Sequence, residues 1–181
     1  MAGGMTDLAP SPAITYRDAR TIDGPALAAM ARRSFTETFG TLYRQSDLAA
    51  FLDEAFGANG LPSQLSDPDF AVRLALEGDK IIGFVKMGPV TFPGEWRPDA
   101  IELYQFYVLG PWQGQGVAQT LMDWALEHSR SHGAKEVILS VYVDNHRAHR
   151  FYERYGFRDI GRYAFRVGET VDDDNLMRLV L

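Results

Sequence analysis

The chain has no cysteine, so it can build no disulfide framework, no zinc-thiolate centre and no acyl-cysteine intermediate. It also has no surplus of positive charge, since 18 Lys and Arg stand against 24 Asp and Glu for a formal net charge of −6. A nucleic-acid binder ordinarily presents a basic face, so this balance argues against that class and mildly favours a cationic ligand. No apolar run reaches the ~20 residues of a membrane-spanning helix. The start, MAGGMTDLAPSP, lacks a basic patch followed by an apolar stretch. A cytoplasmic protein without a membrane or nucleic-acid partner is the expectation. Residues 1–12, rich in Gly, Pro and Ser, are expected to be a disordered leader, and 13–181 a single domain, because 181 residues with 46% hydrophobic content build one core rather than two.

What is present is an α/β pattern. Ala13–Arg17 reads as a short strand, followed by a helix that Asp23 caps and Pro25 opens, with Leu27, Met30, Ala31, Phe35 and Phe39 in helical sequence. A second helix begins at Ser46 or Asp47 and stops at Gly57. Phe39, Tyr43 and Phe51 then crowd a helix-helix junction, either as core or as the wall of a substrate site. Phe70–Leu76 and Ile81–Met87 flank a tight glycine-containing turn, a hairpin signal. After a loop over 88–98 comes a strand ending in FYVL (Phe106–Leu109), a short glycine-containing turn, and a helix with Val117, Leu121, Trp124 and Ala125 on one stripe. The apolar run Val137–Val143 fits a strand covered on both faces in a parallel pair. A short helix from His146 to Tyr155 and two strands, Phe157–Val167 and Asn175–Leu181, flanking the acidic turn GETVDDD complete the chain.

The stretch IELYQFYVLGPWQGQGVAQTLMDW (Ile101–Trp124) carries the chemistry. A helix N-terminus leaves its first amides unpartnered and partly positive, and Gly114 and Gly116 clear side chains from their path, so the turn should cradle phosphates. A Walker loop would need Lys-Ser or Lys-Thr where Val117 and Ala118 stand, and a dinucleotide fingerprint would need Gly or Ala at Gln119. QGQGVA (Gln113, Gly114, Gln115, Gly116, Val117, Ala118) instead resembles the acyl-CoA pyrophosphate loop of the GCN5-related N-acetyltransferases, Q/R-x-x-G-x-G/A. DNHRAHRFYERYGF (Asp144–Phe157) is similar to that family's second signature at Asn145, Ala148, Phe151, Tyr152, Gly156 and Phe157. SFTETFG near the front and the ending GRYAFRVGETVDDDNLMRLVL resemble the PaiA-type polyamine N-acetyltransferases. Gly110-Pro111 departs from the family by displacing its proline one residue, and Ala118 stands where many members have glycine.

The resemblance implies a mixed, mostly antiparallel sheet with a splayed central parallel strand pair and flanking helices. It also implies acetyl-CoA as co-substrate, direct transfer to a primary amine, and Tyr152 as the general acid that protonates the departing thiolate. Phe106 and Val108 would line the pantetheine arm, with an oxyanion donor among the backbone amides near Val108, where the family has a bulge. Attack by an amine on a thioester requires a neutral amine, so a base is also needed. Glu102, placed by strict alternation on the face of Tyr104, Phe106 and Val108, is either that base through water or an exposed strand-end glutamate. Asn145 is a pantetheine ligand, a helix N-cap, or both. Arg147 and Arg150 reach the CoA phosphates or stay solvated. Asp144, His146 and His149 have metal-like spacing, but the acyl-transfer signature runs through them and this chemistry needs no metal, so no metal is expected.

Three functions follow. The first is N-acetylation of a small cationic amine such as a polyamine, with Phe39, Tyr43, Asp172, Asp173 and Asp174 near the acceptor entrance. The second is acetylation of a protein lysine or N-terminal amine, and the third a non-catalytic acyl-CoA sensor. The expected partner is a small-molecule amine, and a homodimer is compatible with the pattern.

Overall fold

The computed structural model describes residues 13–181, so the expected leader lies outside the described residues. A seven-stranded sheet runs β1 (Ile14–Asp18), β2 (Ala71–Glu77), β3 (Lys80–Gly88), β4 (Ala100–Val108), β5 (Glu136–Tyr142), β6 (Arg158–Val167) and β7 (Thr170–Val180), in the spatial order β1-β2-β3-β4-β5-β7-β6. Helices α1 (Gly24–Phe39), α2 (Gln45–Phe56), α3 (Leu61–Gln64), α4 (Val117–Ser131) and α5 (His146–Arg154) flank it. Every strand pairing is antiparallel except β4 with β5. That exception is short: register holds for Ala100↔Glu136, Ile101↔Val137 and Glu102↔Ile138, and then the strands part although both continue. The expected mixed sheet with a splayed central pair is therefore what forms. Among the described residues, no helix is long and apolar enough to cross a membrane.

Two cores sit on opposite faces. On one, α4 buries Val117, Leu121, Met122, Ala125 and Leu126 against Val85, Leu103, Val137 and Leu139, each large side chain contributing about 1.5–3 kcal/mol. On the other, α1 buries Leu27, Met30, Ala31 and Phe35 against Leu74, Phe84 and Phe56. Phe39, Tyr43 and Phe51 pack at the edge of this second core, with Phe35 and Phe51 at 4.6 Å between ring centroids.

Four sequence expectations are corrected. Asp23 does not cap α1 through its side chain; its carboxylate accepts from the Arg17 guanidinium at 2.7 and 2.8 Å and from the Arg20 amide at 2.7 Å, which holds it down at a pKa of about 2. β7 starts at Thr170, so Asp172, Asp173 and Asp174 lie in a strand and not in a turn. Strand alternation then divides them: Asp172 and Asp174 face the cavity described below, whereas Asp173 points outward near Arg162. The third correction is the β4 irregularity, which falls between Leu103 and Gln105, opposite Lys86 and Met87, and not beside Val108. The fourth follows from it. Ile101 and Leu103 share the α4-side core with Phe106 and Val108, so the alternation skips a residue at Tyr104 and Glu102 faces away from Phe106 and Val108.

Candidate active site

The β4–β5 seam opens into a cavity of about 870 Å³ that passes from one side of the sheet to the other. One end is the turn before α4. Gly114 and Gly116 have φ of 80° and 83°, values that side chains with a Cβ strongly disfavour, and a Cβ at either would meet no protein atom within 4 Å. The turn thus needs glycine for its conformation and leaves open space above its amides. The first intrahelical bond runs from the Thr120 amide to the Gly116 carbonyl at 3.0 Å, so the preceding amides of α4 are unpartnered donors. Val117 is fully buried and does not line the cavity. Gln115 folds back to donate to the Pro111 carbonyl at 2.6 Å. Arg147, Arg150 and Arg154 of α5 border the same end.

Gln113 ties the turn to the seam. Its amide nitrogen donates to the Val108 carbonyl at 2.8 Å, while its oxygen accepts from Arg147. The Leu109 amide donates to Ile82 at 2.9 Å, and ladder alternation accordingly turns the Val108 amide away from β3 toward the seam. Asn145 caps α5, accepting from the Ala148 amide at 3.2 Å, which is the capping alternative, and it also borders the cavity. His149 is engaged with the Tyr142 carbonyl at 3.1 Å, and among the described residues no cluster of three or more metal-binding side chains occurs.

Tyr152 projects from α5 into the middle. It is 7% exposed and packs edge-on against Phe106 at 6.4 Å, while Phe106 stacks on Phe151 at 5.5 Å. Its hydroxyl has no hydrogen-bond partner among the described residues and lines the cavity. Burial pushes its pKa well above the usual phenol value, so near neutral pH it is a proton donor and not an acceptor.

The far end is acidic and aromatic. Tyr43 donates to Asp172, Phe39 meets Tyr142 edge-on at 6.2 Å, and Tyr163 of β6 packs on Phe92 at 5.0 Å. Asp174 and Glu102 are each only 5% exposed. Burial raises the pKa of both, Asp174 to about 6. Glu102 is neither exposed nor free: one carboxylate oxygen accepts from the Thr91 amide at 2.7 Å and hydroxyl at 2.9 Å. Behind it the Lys86 ammonium, 2% exposed, sits 4.4 Å from the centroids of both Phe70 and Tyr104 and donates to Gln64, its pKa lowered by burial to about 8.

The cavity therefore unites every sequence-predicted site residue except Asp173, Gln115 and Val117. Sequence reasoning missed Thr91, Phe92, Tyr107, Ser140, Tyr142 and Tyr163. Tyr142 and Ser140 had a usable signal, because they alternate with core residues in VILSVYV; Thr91 and Phe92 lie in an irregular loop and had none.

Residues 27–157 match the model of the acetyltransferase (GNAT) family. The chain belongs to the GNAT family. An uncharacterised N-acetyltransferase of Mycobacterium tuberculosis is 31% identical over 155 residues, 86% of this chain and 96% of the relative. The aminoalkylphosphonate N-acetyltransferase of Salmonella typhimurium is 32% identical over 117 residues, covering 65% of this chain and 71% of its own. The fold matches the crystal structure of PaiA N-acetyltransferase from Thermoplasma acidophilum in complex with coenzyme A, with a TM-score of 0.75 and 20% identity over 93% of this chain and 99% of that one. The protein is a GNAT-type N-acetyltransferase with acetyl-CoA as its co-substrate. The left-handed glycines, open amides and bordering arginines fit a pyrophosphate, and the unpaired seam fits an extended arm.

Proposed function

We propose that this enzyme transfers acetyl directly from acetyl-CoA to a small cationic amine, of which a polyamine is the expected example. The observation that carries the reading is the division of charge along one cavity, with arginines and free amides at one end and Asp172, Asp174 and Glu102 among aromatic rings at the other. The first end suits the co-substrate's phosphates; the second suits ammonium groups, which carboxylates and aromatic faces both stabilise. In this reading the amides between Gly114 and Ala118 hold the pyrophosphate, the Gln113 amide being spent on the Gly110 carbonyl at 3.1 Å, and Arg150 pairs with phosphate. Phe106, Val108 and Asn145 line the pantetheine arm, the Val108 amide faces the developing oxyanion, and Tyr152 protonates the thiolate. The Salmonella relative named for an aminoalkylphosphonate supports a small acceptor, but the acidic end here would repel a phosphonate and favours a cation. The absence of cysteine removes the obvious covalent carrier and supports transfer in a ternary complex.

A CoA-release assay over polyamines, amino sugars and peptides tests the acceptor. Spermidine or spermine turnover, with KM rising as salt is added, is the expected result. Acetylation of a peptide amine with no polyamine turnover would instead assign the protein-directed activity.

A further inference from the structure

We infer that Asp174, buried in the wall of the acidic end of the cavity, is the carboxylate that takes the proton from the acceptor amine. This deepens the amine-acetylation reading above and rests on it. Two buried carboxylates face the acceptor end, and their surroundings differ. Glu102 spends one oxygen on two donors of Thr91, which tie down the connection between β3 and β4, and the Lys86 ammonium lies behind it. Its charge is answered from within the fold.

Asp174 has no such answer. Ser140, on the neighbouring β5 and bordering the same cavity, is a polar group near it, and the charges that bear on it are those of Asp172 and Asp173 on its own strand, both of the same sign. Tyr142 on β5 and Tyr163 on β6 are its cross-strand neighbours, and Tyr43 approaches from beyond α1 through Asp172. No Lys or Arg faces it from any of these elements among the described residues. A buried carboxylate without a cationic partner is costly and is characteristic of functional sites. Burial, and to a lesser degree the like charges, hold its pKa at about 6, within the range where a group can accept a proton at neutral pH and release it again. Asp172, in contrast, already accepts from Tyr43 and is suited to holding a second ammonium.

The step balances. The entering ammonium gives one proton to Asp174, and its lone pair attacks the thioester carbonyl carbon, so that a C–N bond forms and the C–S bond breaks. The nitrogen's second proton is lost as the amide forms and is matched by the proton that reaches the CoA sulfur through Tyr152. Asp174 then returns its proton to solvent, so each turnover yields the amide, CoA and one proton.

The test is the pH profile of kcat/KM over about pH 5 to 9 at saturating acetyl-CoA, on the full chain, with spermidine as acceptor or whichever panel amine is turned over. The parent should lose activity below about pH 6. Asp174→Asn should lose that acidic limb and about 10²-fold or more in kcat while binding acetyl-CoA unchanged by calorimetry and melting no lower than the parent; Asp174→Glu should restore part of the turnover. Glu102→Gln should keep the limb. A limb that persists in Asp174→Asn and vanishes in Glu102→Gln returns the role to Glu102, and a pure KM effect in Asp174→Asn reduces it to a charge anchor. If only peptide amines are acetylated, the small-amine reading fails, and the same profiles on the peptide still decide Asp174.

Discussion

The two ends of the cavity are built in opposite ways. The end proposed for the co-substrate comes from one continuous strand-turn-helix, Phe106–Gln119, with about two turns of α5 beside it. The end proposed for the acceptor draws Phe39 and Tyr43 from the first third of the chain, Glu102 and Thr91 from the middle, and Tyr163, Asp172 and Asp174 from the last strands. A ligand that never changes can be met by a local backbone device, whereas an acceptor is met by side chains gathered from many elements, any of which can change without disturbing the turn. On the proposed reading, the difference puts substrate choice in the gathered side chains and not in the turn.

The comparison can be broken by substitution. The largest effect is expected where the ends meet. Tyr152→Phe should lower kcat by about 10²- to 10⁴-fold while leaving acetyl-CoA affinity within about twofold, measured by initial rates and calorimetry; equal turnover with chemistry rate-limiting would make Tyr152 a packing residue. At the co-substrate end, Gly116→Val places a β-branched residue at φ 83° and a side chain in the phosphates' path, so acetyl-CoA Kd should rise by about 10²-fold or more in a protein that still folds. At the acceptor end, Asp172→Asn should raise the KM of a cationic amine roughly tenfold and flatten its salt dependence. Asp173→Asn should do neither, because its side chain faces out of the cavity. If the two variants behave alike, the strand alternation does not govern acceptor binding.

The smallest effect on catalysis is expected at Lys86. Its pKa is about 8 when folded against an ordinary 10.5, so the folded state disfavours its proton. Stability lost to this charge is therefore present below pH 8 and recovered as pH rises through 8 to 10.5, by at most about 3 kcal/mol. Lys86→Met should remove that rise, as followed by denaturant melts at several pH values; an unchanged slope would place the titration elsewhere.

This contrast also decides what was legible in the sequence. The turn, α4, the hairpin of β2 and β3 and the α5 signature are read from neighbouring residues, and their positions stand within a few residues. What went astray depended on non-local pairing. β7 begins five residues before the predicted Asn175, because Thr170–Asp174 pair with β6 over Tyr163–Val167, and a run of three aspartates carries no strand propensity of its own. The skip at Tyr104 is enforced by β3, and no residue in β4 announces it; strict alternation consequently put Glu102 on the wrong face. Asp23 misled for a simpler reason: an aspartate before Pro25 has the composition of a cap, but two arginines offer its carboxylate stronger partners than a helix amide.

The short β4–β5 pairing has a mechanical meaning as well. With three residue pairs joining them, strands β1 to β4 and strands β5 to β7 are two half-sheets sewn by a few stitches. A molecule lying in the seam touches both halves and acts as a removable clamp, so occupancy becomes cohesion: at a hundred times its Kd, a ligand that binds only the folded chain adds about 2.7 kcal/mol to stability. On the proposed reading, the enzyme is joined least along the line that admits its co-substrate, and the co-substrate, once admitted, bridges that line.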